Sequence, residues 1–80
     1  MTTSRYNEIS HDLYGTLCRW YDDEDYAEMT SSDLFAAAFC WISGYSPNIP
    51  VSEAFDLISV TVNRYEEVRR DKFFKDFYER

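Results

Sequence analysis

Apolar residues recur at helical spacing in the first part of the chain. Tyr6, Ile9, Leu13, Leu17 and Trp20 follow one another at steps of three and four residues, which places their side chains on one face of an α-helix. The sequence therefore predicts a helix over about 5–21. Gly15 falls in its middle, where glycine costs about 1 kcal/mol relative to alanine. We expect another helix to cross there, since a missing side chain permits a close approach.

A second helix is predicted over about 31–43. Thr30 or Ser31 can cap its N-terminus, and Asp33 in the first turn complements the helix dipole. The following run LFAAAFCWI is apolar on every side, which predicts a helix at the centre of the domain with neighbours all round. Gly44 is predicted to end it. The core residues expected on this helix are Leu34, Phe35, Ala38, Phe39, Trp41 and Ile42.

Two further helices are predicted in the second half, over about 52–69 and 71–79. Ser52 and Glu53 begin the first of them after the loop GYSPNIP, and its predicted apolar face is Phe55, Ile58, Val62 and Tyr65. The segment ISVTV also suits a strand, but no second strand is present to pair with it, so a helix is favoured. The apolar spacing slips across RRDK, which predicts a bend or a new helix at Asp71.

The residues after Asp71 form an amphipathic stripe. Phe73, Phe74, Phe77 and Tyr78 share one helical face, with charged residues opposite. This stripe either closes the core of the monomer or forms an interface with another molecule, and the sequence leaves both open.

The composition agrees with an all-α fold. Hydrophobic residues make up 45% of the 80 residues and aromatic residues 19%, which excludes a disordered chain. Only two Gly and two Pro occur, too few for the turns of a small sandwich or barrel. The expected architecture is a single compact domain, residues 1–80, of three to four helices with helix two central.

Two observations bear on the compartment. The chain has no apolar stretch of about 20 residues and no signal peptide at its N-terminus, so we expect no membrane insertion and a cytoplasmic location. The two cysteines, Cys18 and Cys40, fall within apolar helical stripes. We expect both thiols to be reduced and buried, because a small secreted domain would carry more cysteines.

The net charge is −7, and it is unevenly distributed. Residues 1–63 hold ten acids and two bases, whereas residues 64–80 hold five acids and six bases. A negative field repels nucleic acid and anionic membranes and steers the protein towards basic surfaces. We therefore expect a protein partner with a basic surface, and no direct contact with nucleic acid or membrane.

Catalytic and metal-binding motifs are absent from the sequence. His11 is the only histidine, and Cys18 lies about two helical turns from it, roughly 10 Å along the helix, so they form no local dyad. The run DDED lacks the alternating ligands, central Gly and closing Glu of a calcium loop. The sequence predicts no enzyme, no cofactor and no metal site.

The run DDEDYAEM, residues 22–29, is predicted to be an exposed connection because its charges repel one another. Carboxylates interleaved with tyrosines can imitate spaced phosphates while the rings supply contact area. The candidate partner-binding residues are Tyr21, Asp22, Asp23, Glu24, Asp25, Tyr26 and Glu28. Alternatively, these acids only form a solvated face that keeps an aromatic-rich protein soluble.

In size, acidity and lack of catalytic residues, the chain resembles the small anti-CRISPR and anti-restriction proteins of phages and other mobile elements. The resemblance is one of overall character and rests on no shared motif. It implies an inhibitor, a nucleic-acid mimic that occupies the basic, nucleic-acid-binding surface of a host defence protein.

Two other functions are weighed against this hypothesis. A self-associating structural or adaptor protein would use the aromatic stripe Phe73, Phe74, Phe77 and Tyr78 as a dimer contact. A helix-turn-helix regulator of DNA is disfavoured, because the connection between its helices is long and contains prolines. In addition, Glu53 and Asp56 would meet phosphates at the start of the recognition helix.

Overall fold

Four helices and no strand make up residues 2–78, the part of the chain that the computed structural model describes. For Phe73, Phe74, Asp76, Phe77 and Tyr78 it describes the backbone alone. The prediction of an all-α domain with three to four helices is confirmed. The helices are α1 (Thr3–Trp20), α2 (Asp23–Ala27), α3 (Ser31–Tyr45) and α4 (Val51–Tyr78).

Side-chain caps define where the helices begin. The Thr2 hydroxyl accepts a hydrogen bond from the backbone N–H of Arg5, at 3.2 Å. At α3, the N–H of Asp33 donates to the Thr30 hydroxyl at 3.2 Å, and the N–H of Thr30 donates to the Asp33 carboxylate at 2.9 Å. This reciprocal pair satisfies two backbone donors that a helix start leaves unpaired. Of the two N-cap candidates, Thr30 and Ser31, the structure uses Thr30.

Contacts between the helices define an up-down-up bundle. Ser10 of α1 meets Thr61 of α4. Further along both helices, the carbonyl of Tyr21 accepts from Arg69, so α1 and α4 run parallel. Ser31, at the start of α3, donates to Glu66 in the second half of α4, whereas Phe39, later in α3, contacts Phe55 near the start of α4. Helix α3 is therefore antiparallel to α4, and the short α2 lies at the end where α1 finishes.

The centre of the bundle is α4, and the prediction that helix two, here α3, is central was wrong. Helix α4 packs against both α1 and α3 and buries a broad face. On α3, by contrast, Ala36 and Cys40 are exposed, because that helix closes only one side of the bundle. An apolar sequence does not by itself surround a helix with neighbours. The buried residues are Ile9, Leu13, Thr16, Leu17, Leu34, Ala38, Ile42, Ala54, Leu57, Ile58, Thr61, Val62 and Tyr65.

The core expected on α3 is half correct. Leu34, Ala38 and Ile42 are buried, whereas Phe35, Phe39 and Trp41 are half-buried at the edge of the core. Trp41 stacks on Tyr45, with the ring centroids 4.4 Å apart. Helix α3 also continues one residue past Gly44, to Tyr45, and is capped by Ser46, whose N–H donates to the carbonyl of Ile42 at 2.9 Å.

Helix α4 is a single helix, and the predicted break near residue 70 was wrong. Its 28 residues extend about 42 Å at 1.5 Å per residue, nearly the full 46 Å length of the molecule. The slip in the apolar stripe does not interrupt the helix. Arg69, Arg70 and Lys72 are good helix formers, and Arg69 and Lys72 both pair with Asp23 of α2. The radius of gyration, 13.6 Å, exceeds the roughly 11.6 Å typical of this length because α4 is long.

Some residues assigned to apolar faces lie in solvent. Trp20 is 49% exposed and Phe55 54% exposed. On α4, three of the four residues predicted to face inward are buried (Ile58, Val62 and Tyr65), whereas Ala54 and Leu57 complete the buried face in place of Phe55. Cys18 and Cys40 are free, as predicted, but both are exposed rather than buried.

Gly15 does not mark a helix crossing, contrary to expectation. A Cβ built at this position would meet only the Nη1 atom of Arg19, at 3.5 Å, an ordinary van der Waals distance. No neighbouring backbone approaches it. Within residues 2–78, no helix is both long and apolar enough to cross a bilayer.

Candidate partner-binding surface

The acidic run is helical rather than an irregular connection. Asp22 caps α2: its carboxylate accepts from the N–H of Asp25 at 2.8 Å, and the N–H of Asp22 donates to the Asp25 carboxylate at 3.2 Å. Asp23, Glu24 and Asp25 occupy the first turn, where negative charge complements the partial positive charge of the helix N-terminus. The repulsion that argued against regular structure is thus offset by capping and by the helix dipole.

Asp23 anchors α2 to α4. Its carboxylate accepts from the Arg69 guanidinium and, at 2.8 Å, from the Lys72 ammonium. The bond from Lys72, followed by that from Arg69, lowers the pKa of Asp23 below its ordinary value. Arg69 also donates to the carbonyl of Tyr21 at 2.8 Å. One partly buried arginine therefore fixes both the end of α1 and the start of α2.

The two tyrosines of the predicted site face the bundle. Tyr21 and Tyr26 are both half-buried and pack against the hydrophobic core. The Tyr26 ring meets the buried Tyr65 ring edge-on at 5.8 Å, and its hydroxyl donates to the carbonyl of Glu66 at 3.4 Å. Burial, followed by the neighbouring Glu66 carboxylate, raises the pKa of Tyr26. These rings support α2 from beneath, which leaves them less contact area than the sequence implied.

Four carboxylates remain exposed on the outer side of this support. They belong to Asp22, Glu24, Asp25 and Glu28. Residues 22–33 contain six acids and no base, and two cations that reach α2, Arg69 and Lys72, are both paired with Asp23. The structure thus brings together the acids predicted as a site, holds one of them by ion pairs, and turns its tyrosines inward. We call the four exposed carboxylates the acidic surface.

The second predicted interface cannot be placed in the same way. The side chains of Phe73, Phe74, Phe77 and Tyr78 lie outside the described residues, although their backbone continues α4 to Tyr78.

Metal and nucleophile chemistry gains no support from the arrangement of the described residues. His11 is 90% exposed, and its Nδ1 lies 3.8 Å from Asp12. No group of three His, Cys, Asp or Glu side chains within the described part of the chain is placed to hold a metal ion.

A groove of about 550 Å³ lies between α1 and α4 and was not predicted from the sequence. It is lined by Tyr6, Asn7, Ser10, His11, Tyr14, Val60, Thr61 and Arg64. The only sequence signal for it was the polar residues that flank the apolar stripes of the two helices. That signal becomes specific only once the two helices are known to be parallel neighbours.

Comparison with protein-family models, with curated proteins and with solved structures finds no match to this chain. Evidence on function therefore comes from the chemistry of the acidic surface.

Proposed function

We propose that this protein is a non-enzymatic interaction module of the cytoplasm whose acidic surface occupies a basic surface on a protein partner. A nucleic-acid-binding surface of a host defence protein fits this chemistry, because its cations are spaced to meet phosphates. The protein then acts as an inhibitor by competing with nucleic acid.

The observation that carries the proposal is the anchoring of α2. Asp23 is held by Arg69 and Lys72, while Glu24 and Glu28 point their charge into solvent. A recognition surface that is already ordered loses less conformational entropy on binding than a flexible acidic loop does. The second half of α2 is also held, by the Tyr26 hydroxyl that donates to the carbonyl of Glu66. Acids that served solubility alone would not require α2 to be anchored in this way.

The matched experiment neutralises two acids on α2 and two elsewhere. Glu24→Gln/Glu28→Gln and Asp56→Asn/Glu67→Gln each change the net charge from −7 to −5, and all four residues are exposed. None of the four takes part in the α2 capping box or in the Asp23 ion pairs. Both variants should keep the wild-type fold, because exposed charges contribute little to stability.

The partner is captured from host-cell lysate at low salt, and association rates are then measured with the purified partner. The α2 variant should associate more slowly than the α4 variant, and the difference should shrink as salt rises, because exposed charges mainly steer encounter. Nucleic acid should compete with the protein for the same partner. Equal rates for the two variants, or binding unaffected by nucleic acid, would contradict the proposal.

Self-association remains a second candidate because α4 is unbroken through Tyr78. The backbone of the four aromatic residues of the stripe therefore belongs to the same helix as the core residue Tyr65. Sedimentation velocity across a hundredfold range of protein concentration tests this directly. A dimer that is lost when the chain ends at Lys72, with the helical content of the remainder retained, would favour this function over the acidic surface.

A further inference from the structure

The groove between α1 and α4 differs in charge from the rest of the molecule. The chain carries 15 acids and a net charge of −7, yet none of the described residues that line the groove has a carboxylate. Asp12, which follows the lining residue His11, accepts instead from the Tyr45 hydroxyl on the α3 side. At physiological salt, charges beyond about 8 Å are largely screened. Arg64 is the one arginine or lysine among the described lining residues, so its guanidinium is the permanent positive charge that a ligand in the groove would meet at contact distance.

Arg64 is the cation at one end of this groove. Its guanidinium carbon lies 5.7 Å from the centroid of the Tyr14 ring. Among the described arginines, it alone makes no ion pair or hydrogen bond; the others, Arg5, Arg19, Arg69 and Arg70, each have a partner. A guanidinium that is held over a ring and keeps its N–H donors unoccupied is suited to bind a carboxylate or phosphate.

The floor of the groove presents a hydrogen-bond acceptor. The Thr61 hydroxyl donates its single proton to the carbonyl of Leu57, at 2.7 Å. The Ser10 hydroxyl, 2.6 Å from the Thr61 oxygen, must therefore be the donor in that pair. Ser10 has then used its own proton, and the two lone pairs of its oxygen can only accept hydrogen bonds. A ligand group above Ser10 should accordingly be an N–H or O–H.

We propose that this groove binds a small aromatic acid, a flat ring that carries an anionic group at one end and a hydrogen-bond donor at the other. The anion pairs with Arg64, the ring lies against Tyr6 and Tyr14, and the donor reaches Ser10. A volume of about 550 Å³ falls in the ordinary range for small-molecule sites. The site is separate from the acidic surface, and the proposal stands or falls without it.

The test titrates four compounds into isotope-labelled protein and follows the backbone amide signals of residues 6–14 and 60–64. The compounds are 4-hydroxybenzoate, benzoate, which lacks the donor, phenol, which lacks the anion, and inorganic phosphate, which lacks the ring. We expect 4-hydroxybenzoate to bind most tightly. Phenol should bind about tenfold or more weakly, since a hydrogen bond to a charged group is lost, and benzoate about two- to tenfold more weakly, since a neutral one is lost.

Two variants locate the interactions, and one serves as a control. Arg64→Gln should weaken 4-hydroxybenzoate about tenfold or more, whereas Arg70→Gln, the same charge change on the same helix but away from the groove, should leave it within about twofold. Ser10→Ala should reduce 4-hydroxybenzoate to the affinity of benzoate and leave benzoate itself unchanged. Circular dichroism of each variant verifies that the bundle is intact.

Three results would overturn the proposal. One is the absence of shifts in the two segments at millimolar compound. Another is equal binding of inorganic phosphate and 4-hydroxybenzoate, which would remove the role of the ring. The third is an equal loss in Arg64→Gln and Arg70→Gln, which would show that the anion feels only the overall charge.

Discussion

Replacing Gly15 by alanine should stabilise this protein. The residue lies in the middle of α1, an 18-residue helix, and its backbone has no positive φ angle that would require glycine. The sequence suggested that the missing side chain lets another helix approach. The structure removes that reason, because a Cβ here would touch only Arg19 Nη1, at 3.5 Å, an atom at the end of a flexible side chain.

The size of the effect follows from the helix itself. Glycine in a helix interior costs about 0.5 to 1 kcal/mol relative to alanine, because more backbone freedom is lost on folding. No steric cost opposes this gain, so the free energy of unfolding should rise by about 0.5 to 1 kcal/mol. For a domain of this size, 1 kcal/mol corresponds to an increase of about 4 to 8 °C in melting temperature.

Urea and thermal unfolding, followed by circular dichroism, measure the change. Gly44→Ala is the matched control: a Cβ there meets nothing within 4 Å, but the residue lies next to the last residue of α3, where helices fray and the gain should be smaller. A Gly15→Ala protein that is less stable than wild type would refute the reasoning. It would mean that something, in the chain or in a second copy, comes closer to α1 than the structure shows.

Three further predictions concern the core, the anchor and the thiols. Leu57→Ala should lower the free energy of unfolding, measured by urea titration, by about 2 to 5 kcal/mol, because Leu57 is fully buried on the central helix. Val60 lies on the exposed side of α4, so Val60→Ala should change the free energy of unfolding by less than about 0.5 kcal/mol in the same titration. Lys72 and Arg69 lower the pKa of Asp23 in the folded protein, so the stability from this carboxylate is present above about pH 4 and is lost as the pH falls through the lowered pKa. The urea midpoint of Asp23→Asn should therefore fall less than that of the wild type when the pH is lowered. Identical pH profiles for the two proteins would argue against the anchor. Cys18 and Cys40 should both react with iodoacetamide in the native protein, because both are free and exposed; mass spectrometry showing one modification or none would contradict their exposure.

The candidate site illustrates what sequence reasoning could and could not supply. The acids at residues 22–28 were recognised as a cluster from the sequence alone, because they are neighbours along the chain. Their local structure was missed, although Asp22 and Asp25 have the spacing of a capping box. The anchor on Arg69 was not predictable, since 46 residues separate it from Asp23. Tyr21 and Tyr26 are half-buried against the core, which the sequence could not show, because an aromatic residue beside charges can face either solvent or core and only packing decides which.

By itself, the sequence determined the all-α class and placed the N-cap of α3 at Thr30 or Ser31, of which the structure uses Thr30. It also determined which residues face inward at six positions: Ile9, Leu13, Leu17, Ile58, Val62 and Tyr65. Spacing and capping act over one or two turns, so they are encoded locally. Only the tertiary structure decided that α4 is central and that Phe55 and Trp20 are exposed. It also decided that a groove whose described lining residues carry no carboxylate lies between the packed helices α1 and α4. Those outcomes depend on how many neighbours each helix has and on which side they lie. These features are set when α1, α3 and α4 pack against one another, so no single segment of the chain encodes them.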